Sequence, residues 1–347
     1  MRPHRAVAAF DPFVCFLILP TSWANAENHT LNIICSAAPA TCNVLRDSFV
    51  SIYDIPTNIV RMSSGEALDF IEKDSRSNNP TDISFDVWWG GTGDTHLKAV
   101  KNGLMHKFVS SNKTLLGWST YLSDISDGNT VGVYAGMLGI VANKKVLTAQ
   151  NLDLPNCWSD LGDPKYRGQL IIADPNTSGT AYTFLSTIFQ IYDPFQRIQV
   201  LAEIKENILK TPKSGSDALL PVANDDAALS VAFIHDVPLL EYQNPSLAII
   251  IPCEGTGYEI GAASILKSTK HLKEAKTFIE YTLLASTQNV LTNKIALQMY
   301  SNANTLSSPV YNNLKDLNVI NYNFNIYSRE TVRNDVLSTW NNLGNVD

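Results

Sequence analysis

The sequence predicts an α/β protein whose mostly parallel sheets are divided between two lobes. Short apolar runs alternate with polar loops and helical patterns, an order that is typical of parallel sheets. The mature chain, about 320 residues long, exceeds the size of one comfortable hydrophobic core. A long, glycine-containing run at 130–143, TVGVYAGMLGIVAN, has the length of a strand that could cross from one lobe to the other.

The first third of the chain contains three strand–loop–helix units in succession. Strands are predicted at 31–35, 58–62 and 86–89. The small polar loops that follow them lie at 36–41, 63–66 and 90–95. Ser63 and Glu66 have the spacing of a capping box, which predicts a helix start there. Ligands bind beyond the carboxyl ends of parallel strands, so these loops are candidate ligand contacts.

The second half continues the alternation after the long run. Further strands are predicted at 170–173, 227–234 and 247–251, and a return crossing at 260–266. Helices are predicted at 195–208 and 270–284, and the tail at 286–347 reads as mostly helical.

A strand that leads into a polar loop and then into a helix occupies 169–192. The loop is Asn176-Thr177-Ser178-Gly179-Thr180, and an apolar helical face begins at Ala181. The first N–H groups of a helix are unpaired and the dipole there is positive, so this loop suits a phosphate or a carboxylate. A simple helix cap by Thr177 or Ser178 explains the same residues equally well.

The N-terminus has the parts of a secretory signal peptide. Residues 1–5 are basic, residues 6–23 are mostly apolar despite Asp11, and Ala24-Asn25-Ala26 is a small-x-small cleavage pattern. We expect cleavage after about Ala26 and export to the periplasm. No later stretch reaches the roughly 18 apolar residues of a membrane span.

The charge of the mature chain is mildly acidic. Removal of residues 1–26 takes away two arginines and one aspartate, which changes the formal net charge from −7 to −8. A chain of this charge without a basic run is a poor binder of nucleic acid. Any anionic ligand must therefore be held by a local site.

Four cysteines remain after Cys15 leaves with the signal peptide. An even number in an exported chain favours two disulfides, and three pairings are possible. Cys35–Cys42 would be a local bridge, and Cys157–Cys253 would then join two distant segments of one lobe. A metal site is the alternative, but none of the spacings is Cys-x-x-Cys.

Five segments, in their order and spacing, carry a resemblance to a known family. They are RMSSGEAL at 61–68, DVWWGGTGDTHLKA at 86–99, DPKYRGQLIIADPNTSGTAYT at 163–183, FIHD at 233–236 and PCEGTGYEIGAASILK at 252–267. The chain resembles the exported solute-binding proteins of ABC importers, in the two-lobed class that includes iron(III)-binding proteins. The resemblance covers nearly the whole mature chain and implies the type II periplasmic-binding-protein fold. Within the class, the segments look most like the branch that binds hexose phosphates and related organophosphates.

The residues favour a phosphorylated sugar over iron(III), which is the alternative ligand. Iron(III)-binding relatives carry an adjacent Tyr-Tyr pair at the strand end where this chain has His235-Asp236. This sequence has thirteen tyrosines and no adjacent pair. His235, Asp236 and Glu254 offer hydrogen bonds to sugar hydroxyls, and the loop at 177–180 offers donors for phosphate. We predict no cofactor and no bound metal, while neutral sugars and amino acids stay open as ligands.

Twelve residues are candidate ligand contacts on these grounds. They are Ser36, Ser64, Thr92, Asp94, Thr177, Ser178, Gly179, Thr180, Ser214, His235, Asp236 and Glu254. Each has a structural alternative: a helix cap for Ser64 or Asp94, a buried structural imidazole for His235, a lysine pair for Asp236 and a turn for Glu254. Near Ser214, where relatives often carry an arginine, this chain has Lys213, a point charge without the bidentate fork.

The resemblance implies binding without catalysis. We expect a monomer with lobe 1 at 27–133 plus 260–347 and lobe 2 at 134–259, delivering an anionic small molecule to an ABC permease in the inner membrane. A periplasmic enzyme on the same fold, such as a phosphatase or a thiaminase-like transferase, is the hypothesis from another class. The sequence has no Gly-x-Ser-x-Gly elbow, and Cys157 and Cys253 are better explained as a disulfide than as nucleophiles.

Overall fold

The computed structural model describes residues 30–77, 84–294, 298–306 and 318–344. The predicted signal peptide and its cleavage site lie outside these ranges. Among the helices that the structure describes, none combines the length and the apolar character needed to cross a membrane.

The strands are numbered in chain order within the described residues. They are β1 Leu31–Cys35, β2 Thr57–Arg61, β3 Val87–Thr92, β4 Met105–His106, β5 Val131–Asn143, β6 Leu170–Ile171, β7 Ile208–Lys210, β8 Leu229–Phe233, β9 Leu247–Ile250, β10 Tyr258–Leu266 and β11 Met299–Tyr300.

The α-helices are numbered in the same way. They are α1 Pro39–Tyr53, α2 Ser64–Arg76, α3 Gly93–Lys101, α4 Gly117–Ile125, α5 Lys144–Ala149, α6 Gly179–Ile191, α7 Pro194–Glu206, α8 Leu220–Ala223, α9 Pro238–Glu241, α10 Leu272–Thr282, α11 Ala285–Lys294, α12 Phe324–Tyr327 and α13 Glu330–Asn342. Short 3-10 helices lie at Ser159–Gly162, Pro164–Tyr166, Asp217–Leu219 and Ile234–Asp236.

The main sheet of lobe 1 has the strand order β2-β1-β3-β10-β5. β1 pairs in parallel with β2 and β3, and β10 pairs antiparallel with β3 and β5, so β10 alone among these five strands runs against the others. β3 is buried along its whole length, which accounts for its run of apolar and glycine residues. The carboxyl ends of β1, β2 and β3 bring their following loops to one edge of the sheet.

The sheet of lobe 2 has the strand order β5-β8-β6-β7, and β9 also pairs with β5. β8, β6 and β7 are mutually parallel, whereas β5 is antiparallel to β8 and β9. The carboxyl ends of β6 and β8 lead into the loop at 174–178 and the 3-10 helix Ile234–Asp236. These two segments face the loops of lobe 1.

The long strand β5 belongs to both sheets, and the predicted crossing is confirmed. Its first half, 131–137, pairs with β10, and its second half, 138–142, pairs with β8. All its positions are buried because it lies at the centre of the molecule. β10 is the return crossing, so the two lobes are joined by a pair of antiparallel strands.

The C-terminal segment 318–344 packs mainly against lobe 2, although we expected it within lobe 1. α13 packs against α6, and its Val336 and Trp340 share one apolar core with strands of lobe 2. The Lys205 ammonium on α7 donates to the Trp340 carbonyl oxygen over 2.8 Å. The same segment also contacts α3 of lobe 1, where Lys101 donates to Ser328 Oγ over 2.7 Å. The limits of the lobes stay a prediction.

The four cysteines form two disulfides, as predicted, and the structure shows which of the three possible pairings they adopt. Cys35 at the end of β1 is bonded to Cys42 in α1, with a sulfur–sulfur distance of 2.08 Å. This bridge spans the loop that begins at Ser36. Cys157 is bonded to Cys253, 96 positions away, with a sulfur–sulfur distance of 2.05 Å.

Candidate ligand-binding cleft

The two lobes face each other across a cleft surrounded by the carboxyl ends of their strands. It contains about 440 Å³ of space including its mouth. The cleft is narrow because the lobes touch directly. The Gly65 N–H of lobe 1 donates to the Thr177 carbonyl oxygen of lobe 2 over 2.7 Å. The structure therefore shows the lobes in a closed arrangement.

Small and polar residues dominate the lining of the cleft. They are Ser36, Ala37, Ala38, Arg61, Ser63, Ser64, Gly91, Thr92, Tyr134, Ser178, Gly179, Thr180, Ser214, Gly215, Ser216, Phe233, His235, Asp236, Glu259 and Gln298. The contacts among these residues define two chemically different groups, which we call the two ends of the cleft.

One end of the cleft is built around Arg61, the last residue of β2. Among the described lining residues, Arg61 is the only one with a full positive charge. Its Nη2 donates to Ser216 Oγ across the cleft over 3.3 Å, while its buried Nε has no hydrogen-bond partner. An unsatisfied buried donor is costly, so this geometry suits an anion that is supplied from outside the chain.

Three helices begin at this end of the cleft. Ser63 caps α2 through the predicted capping box with Glu66, and Ser178 caps α6 by accepting from the Ala181 N–H over 3.3 Å. Thr92 lies at the start of α3, and its buried Oγ1 has no partner. Helix N-termini bring unpaired N–H groups and a positive dipole, which favour anions.

Close approach at this end requires glycine at 179. A Cβ atom there would lie 2.7 Å from Ser64 Oγ and 2.7 Å from Thr92 Oγ1, both of which belong to the opposite lobe. The start of α6 can therefore reach the hydroxyls of lobe 1 only without a side chain.

The other end of the cleft is formed by His235, Asp236, Glu259 and Gln298. The Gln298 amide nitrogen lies 3.3 Å from His235 Nε2. The same imidazole nitrogen is 3.6 Å from Asp236 Oδ1 and 3.7 Å from Glu259 Oε1. This end therefore combines carboxyl, imidazole and amide groups, which can both donate to and accept from hydroxyl groups.

Burial sets the protonation states at this second end. It lowers the pKa of His235, against the opposing influence of Asp236, so the imidazole is neutral at pH 7. It raises the pKa of Glu259 well above its usual range, and the nearby Asp236 and Asp94 carboxylates raise it further. It also raises the pKa of Asp236, although His235 and Arg61 act in the opposite direction. Burial therefore favours the protonated form of Glu259, which can donate a hydrogen bond.

Nine of the twelve predicted contacts line the cleft. Lobe 1 contributes Ser36, Ser64 and Thr92, and lobe 2 contributes Ser178, Gly179, Thr180, Ser214, His235 and Asp236. Two of the lobe 1 hydroxyls already accept hydrogen bonds from within the protein. Ser36 Oγ accepts from Trp88 Nε1 over 2.8 Å, and Ser64 Oγ accepts from the Thr92 N–H over 3.1 Å. Whether each residue touches a ligand stays a prediction.

Thr177 does not line the cleft. Its hydroxyl lies 3.3 Å from the Asp174 carbonyl oxygen of its own loop and 2.8 Å from the Lys213 carbonyl oxygen of another loop, and can donate to either. Its carbonyl oxygen accepts from Gly65 of the opposite lobe. Thr177 was predicted as a ligand contact, and local sequence could not show that its side chain turns toward the loops of lobe 2.

Asp94 lies behind the cleft and pairs with Arg333. The Arg333 guanidinium donates to Asp94 Oδ2 over 3.2 Å, and both side chains are at most 5% exposed. The same guanidinium lies 4.0 Å from the ring centroid of Tyr182 on α6. Asp94 thus links α3 to the C-terminal helix.

Glu254 lies outside the cleft and is occupied by other contacts. Its carboxylate accepts from the Trp158 N–H over 2.7 Å and the Ser159 N–H over 3.0 Å, and from the Tyr192 hydroxyl. Burial acts to raise the pKa of Glu254, but these hydrogen bonds outweigh it and lower the pKa. Glu259, five positions later on β10, supplies the carboxyl group that the cleft contains.

Sequence reasoning missed Arg61, Ser216, Glu259 and Gln298. The position of Arg61 at the carboxyl end of a predicted strand was a usable signal. Glu259 lies in a crossing strand between Tyr258 and Ile260. The sequence there does not show that its carboxyl group faces the cleft. Gln298 reaches the cleft from far along the chain, and no local pattern predicts that.

One group in the described part of the chain has the spacing of a metal site, namely Cys157, Cys253 and Glu254. Its two sulfur atoms are bonded to each other, so they offer no thiolate to a metal ion.

Comparison with known proteins places the chain in a family. Residues 90–326 match the family model described as bacterial extracellular solute-binding protein. A Haemophilus influenzae protein described only as uncharacterized is 32% identical over 320 residues, which cover 91% of each chain.

Two solved structures share the fold of this chain. The periplasmic binding protein AfuA from Actinobacillus pleuropneumoniae, with exogenous fructose-6-phosphate bound, is 33% identical with a TM-score of 0.84, and the match covers 92% of this chain and 99% of that one. Iron-bound HitA from Pseudomonas aeruginosa is 17% identical with a TM-score of 0.72, covering 91% of this chain and 99% of that one, which shows the shared fold alone. The predicted family and the two-lobed fold are confirmed: this chain belongs to the bacterial extracellular solute-binding proteins.

Proposed function

We propose that this solute-binding protein captures a hexose phosphate or a related organophosphate between its lobes and delivers it to an ABC permease in the inner membrane. The observation that carries the proposal is the polarity of the cleft. One end holds Arg61, helix N-termini and hydroxyl groups, and the other holds His235, Asp236, Glu259 and Gln298. A sugar phosphate has the same division, with an anion at one end and hydroxyl groups at the other.

The charge at the first end matches that of a phosphate monoester. Such a group carries about 1.5 to 2 negative charges near pH 7. Arg61 contributes one positive charge, and the N-termini of α2 and α6 contribute roughly half a charge each, which together make about two. The hydroxyls of Thr92 and Thr180 complete the set of donors.

The second end suits sugar hydroxyls, each of which donates and accepts. The His235 imidazole, the Glu259 carboxyl group and the Gln298 amide supply both kinds of partner. Two buried atoms there, His235 Nδ1 and Gln298 Oε1, have no partner within the described residues. Unpaired buried groups are costly, so a site of this kind discriminates strongly in favour of a hydroxyl-bearing ligand.

The residues do not support the iron(III) alternative. Tyr134 is the only tyrosine among the described residues that line the cleft. Burial raises its pKa well above the usual range, so it stays a phenol, and its oxygen accepts from the Gly91 N–H over 3.0 Å. Iron(III) would need ionised phenolates, which this environment disfavours. AfuA, whose structure contains fructose-6-phosphate, gives further support to the sugar-phosphate proposal.

Binding is coupled to closure because the ligand would contact both lobes. Arg61 and Thr92 belong to lobe 1, whereas Thr180 and His235 belong to lobe 2. A ligand that touches both binds the closed state better and shifts the population toward it.

We further propose that the mature chain starts after about Ala26 and acts as a monomer without catalysis. We also propose that the lobes divide near 133 and 260, and that 318–344 moves with lobe 2.

Isothermal titration calorimetry of the mature protein tests the proposal. The panel contains glucose 6-phosphate, fructose 6-phosphate, phosphoglycerate, inorganic phosphate, free glucose and ferric citrate. We expect sugar phosphates to bind most tightly and to raise the melting temperature, since ligand at about 100 times Kd adds about 2.7 kcal/mol of stability. Binding of ferric citrate alone would refute the proposal. Release of inorganic phosphate during incubation would instead indicate an enzyme.

A further inference from the structure

A direct contact between the lobes lies at the rim of the cleft, next to the residues that line it. The Gly65 N–H, in the first turn of α2, donates to the Thr177 carbonyl oxygen over 2.7 Å. Ser63 Oγ lies 2.9 Å from the same oxygen. Both contacts join lobe 1 to lobe 2 through protein atoms alone, and neither Gly65 nor Thr177 lines the cleft.

The contact depends on the absence of a side chain at 65. A Cβ atom on Gly65 would lie 2.5 Å from the Asn176 carbonyl oxygen and 2.6 Å from the Thr177 carbonyl oxygen. Both oxygens belong to the backbone, so neither can rotate away as a flexible side chain would. Any larger residue at 65 must push the lobes apart.

The loop that supplies the carbonyl group is held rigidly in lobe 2. The Thr177 and Ser178 N–H groups both donate to the Asp174 carbonyl oxygen, over 3.1 and 2.7 Å. The Asn176 side chain exchanges hydrogen bonds of 3.2 Å with Asn341 on α13. These hydrogen bonds hold the loop to lobe 2 and resist its displacement by an added methyl group.

We propose that Gly65 and the Thr177 carbonyl group form a latch that holds the cleft closed and sets how long the ligand stays bound. The Gly65 N–H belongs to the positive end of α2, which favours a carbonyl oxygen as its partner. This proposal depends on the proposed function in one respect: it requires that the ligand is bound between the closed lobes. Gly65 is therefore a positioning residue, because it does not line the cleft and affects the ligand only by setting how closely the two lobes approach each other.

If the latch exists, Gly65→Ala should weaken ligand binding without lowering the stability of the free protein. In the open arrangement an alanine in the first turn of a helix costs nothing and favours the helix over glycine. In the closed arrangement the methyl group breaks the latch. Apparent affinity falls in proportion to the fraction of protein that can close. A merely structural role for Gly65 would instead lower stability.

The test compares Gly65→Ala with the matched control Gly117→Ala. Gly117 also begins a helix, and a Cβ atom there would meet nothing within 4 Å. For glucose 6-phosphate we expect Gly65→Ala to raise Kd at least about tenfold, equal to 1.4 kcal/mol, mainly through faster dissociation, with an unchanged or higher melting temperature of the free protein. Gly117→Ala should match the wild type. An unchanged Kd, or a lower melting temperature in Gly65→Ala, would overturn the latch.

A second measurement needs no ligand. Lys213 Nζ lies 3.9 Å from Glu66 Oε1 across the same rim, close enough for a carbodiimide to join them as an amide. We expect the yield of this cross-link, read by mass spectrometry, to fall severalfold in Gly65→Ala and to stay constant in Gly117→Ala. Equal yields in both variants would refute the latch. The cross-linking yield tests the latch even if glucose 6-phosphate does not bind. A failure of the proposed function would appear in the calorimetry alone.

Discussion

Replacement of Arg61 by glutamine should remove most of the selectivity for the phosphate group. Arg61 provides the charged donor at the anionic end of the cleft, and its buried Nε has no protein partner. A hydrogen bond to a charged group contributes about 1.5 to 3 kcal/mol. The loss of one such bond therefore raises the Kd for glucose 6-phosphate by roughly 10- to 150-fold.

Calorimetry of Arg61→Gln is best paired with Lys213→Gln as the control. Lys213 is a cation at the same rim, but its side chain is 79% exposed and its contact with Glu66 is long at 3.9 Å. Exposed pairs contribute about 0 to 1 kcal/mol, so the control should change Kd by less than about fivefold. Melting temperatures of both variants show whether the fold is intact.

The loss of affinity in Arg61→Gln should be specific to phosphorylated ligands. Weak binding of free glucose should change far less than binding of glucose 6-phosphate, because none of the side chains at the sugar end is replaced. If Arg61→Gln binds glucose 6-phosphate as well as Lys213→Gln does, the assignment of the anionic end is wrong.

Three further predictions concern residues behind or outside the cleft. Glu254→Gln should leave Kd unchanged but lower stability by about 1 to 3 kcal/mol, because hydrogen bonds to its carboxylate, including that from Tyr192, are weakened. Arg333→Met should destabilise the protein by about 3 to 5 kcal/mol, since it leaves the Asp94 charge buried and unpaired. Burial lowers the folded-state pKa of His96 from 6.5 to about 3, so its contribution to stability is complete above pH 6.5 and is lost as the pH falls toward 3.

Each of these has a matched comparison. Urea unfolding measures the stability changes, and calorimetry with glucose 6-phosphate measures Kd. A tenfold higher Kd for Glu254→Gln would indicate that Glu254 contributes to ligand binding after all. The double variant Asp94→Asn with Arg333→Met should recover part of the lost stability, and no recovery would contradict the ion-pair explanation. His96→Gln should lose less stability between pH 6.5 and 4 than the wild type, and equal slopes would argue against His96 as the titrating group.

Local patterns predicted most of the elements that form the cleft. Ser64, Thr92 and Ser178 all lie where a strand or its loop ends and a helix begins, and this junction is visible in a single segment of sequence. Ligand positions at strand ends follow from the direction of parallel strands, so neighbours along the chain suffice to find them. His235 and Asp236 were found for the same reason, at the end of β8.

Acidic residues were predicted less well than hydroxyl-bearing ones. Glu254 and Glu259 are five positions apart, and only the tertiary structure shows which of them faces the cleft. Glu254 is turned toward the Trp158 and Ser159 N–H groups, whereas Glu259 is carried inward by β10. Asp94 reads as a helix-start residue, yet its partner Arg333 lies 239 positions away.

The sequence by itself predicted most of the strands and helices around the cleft, the cysteines available for bridging and the family, whereas the export signal stays a prediction. These properties depend on local periodicity, on residue type and on segments that keep their spacing. Only the tertiary structure decided which groups share one space: Arg61 opposite Ser216, Glu259 beside His235, and the Gly65 N–H against the Thr177 carbonyl group. Such contacts depend on how two lobes meet, and that geometry comes from the packing of segments far apart in the chain.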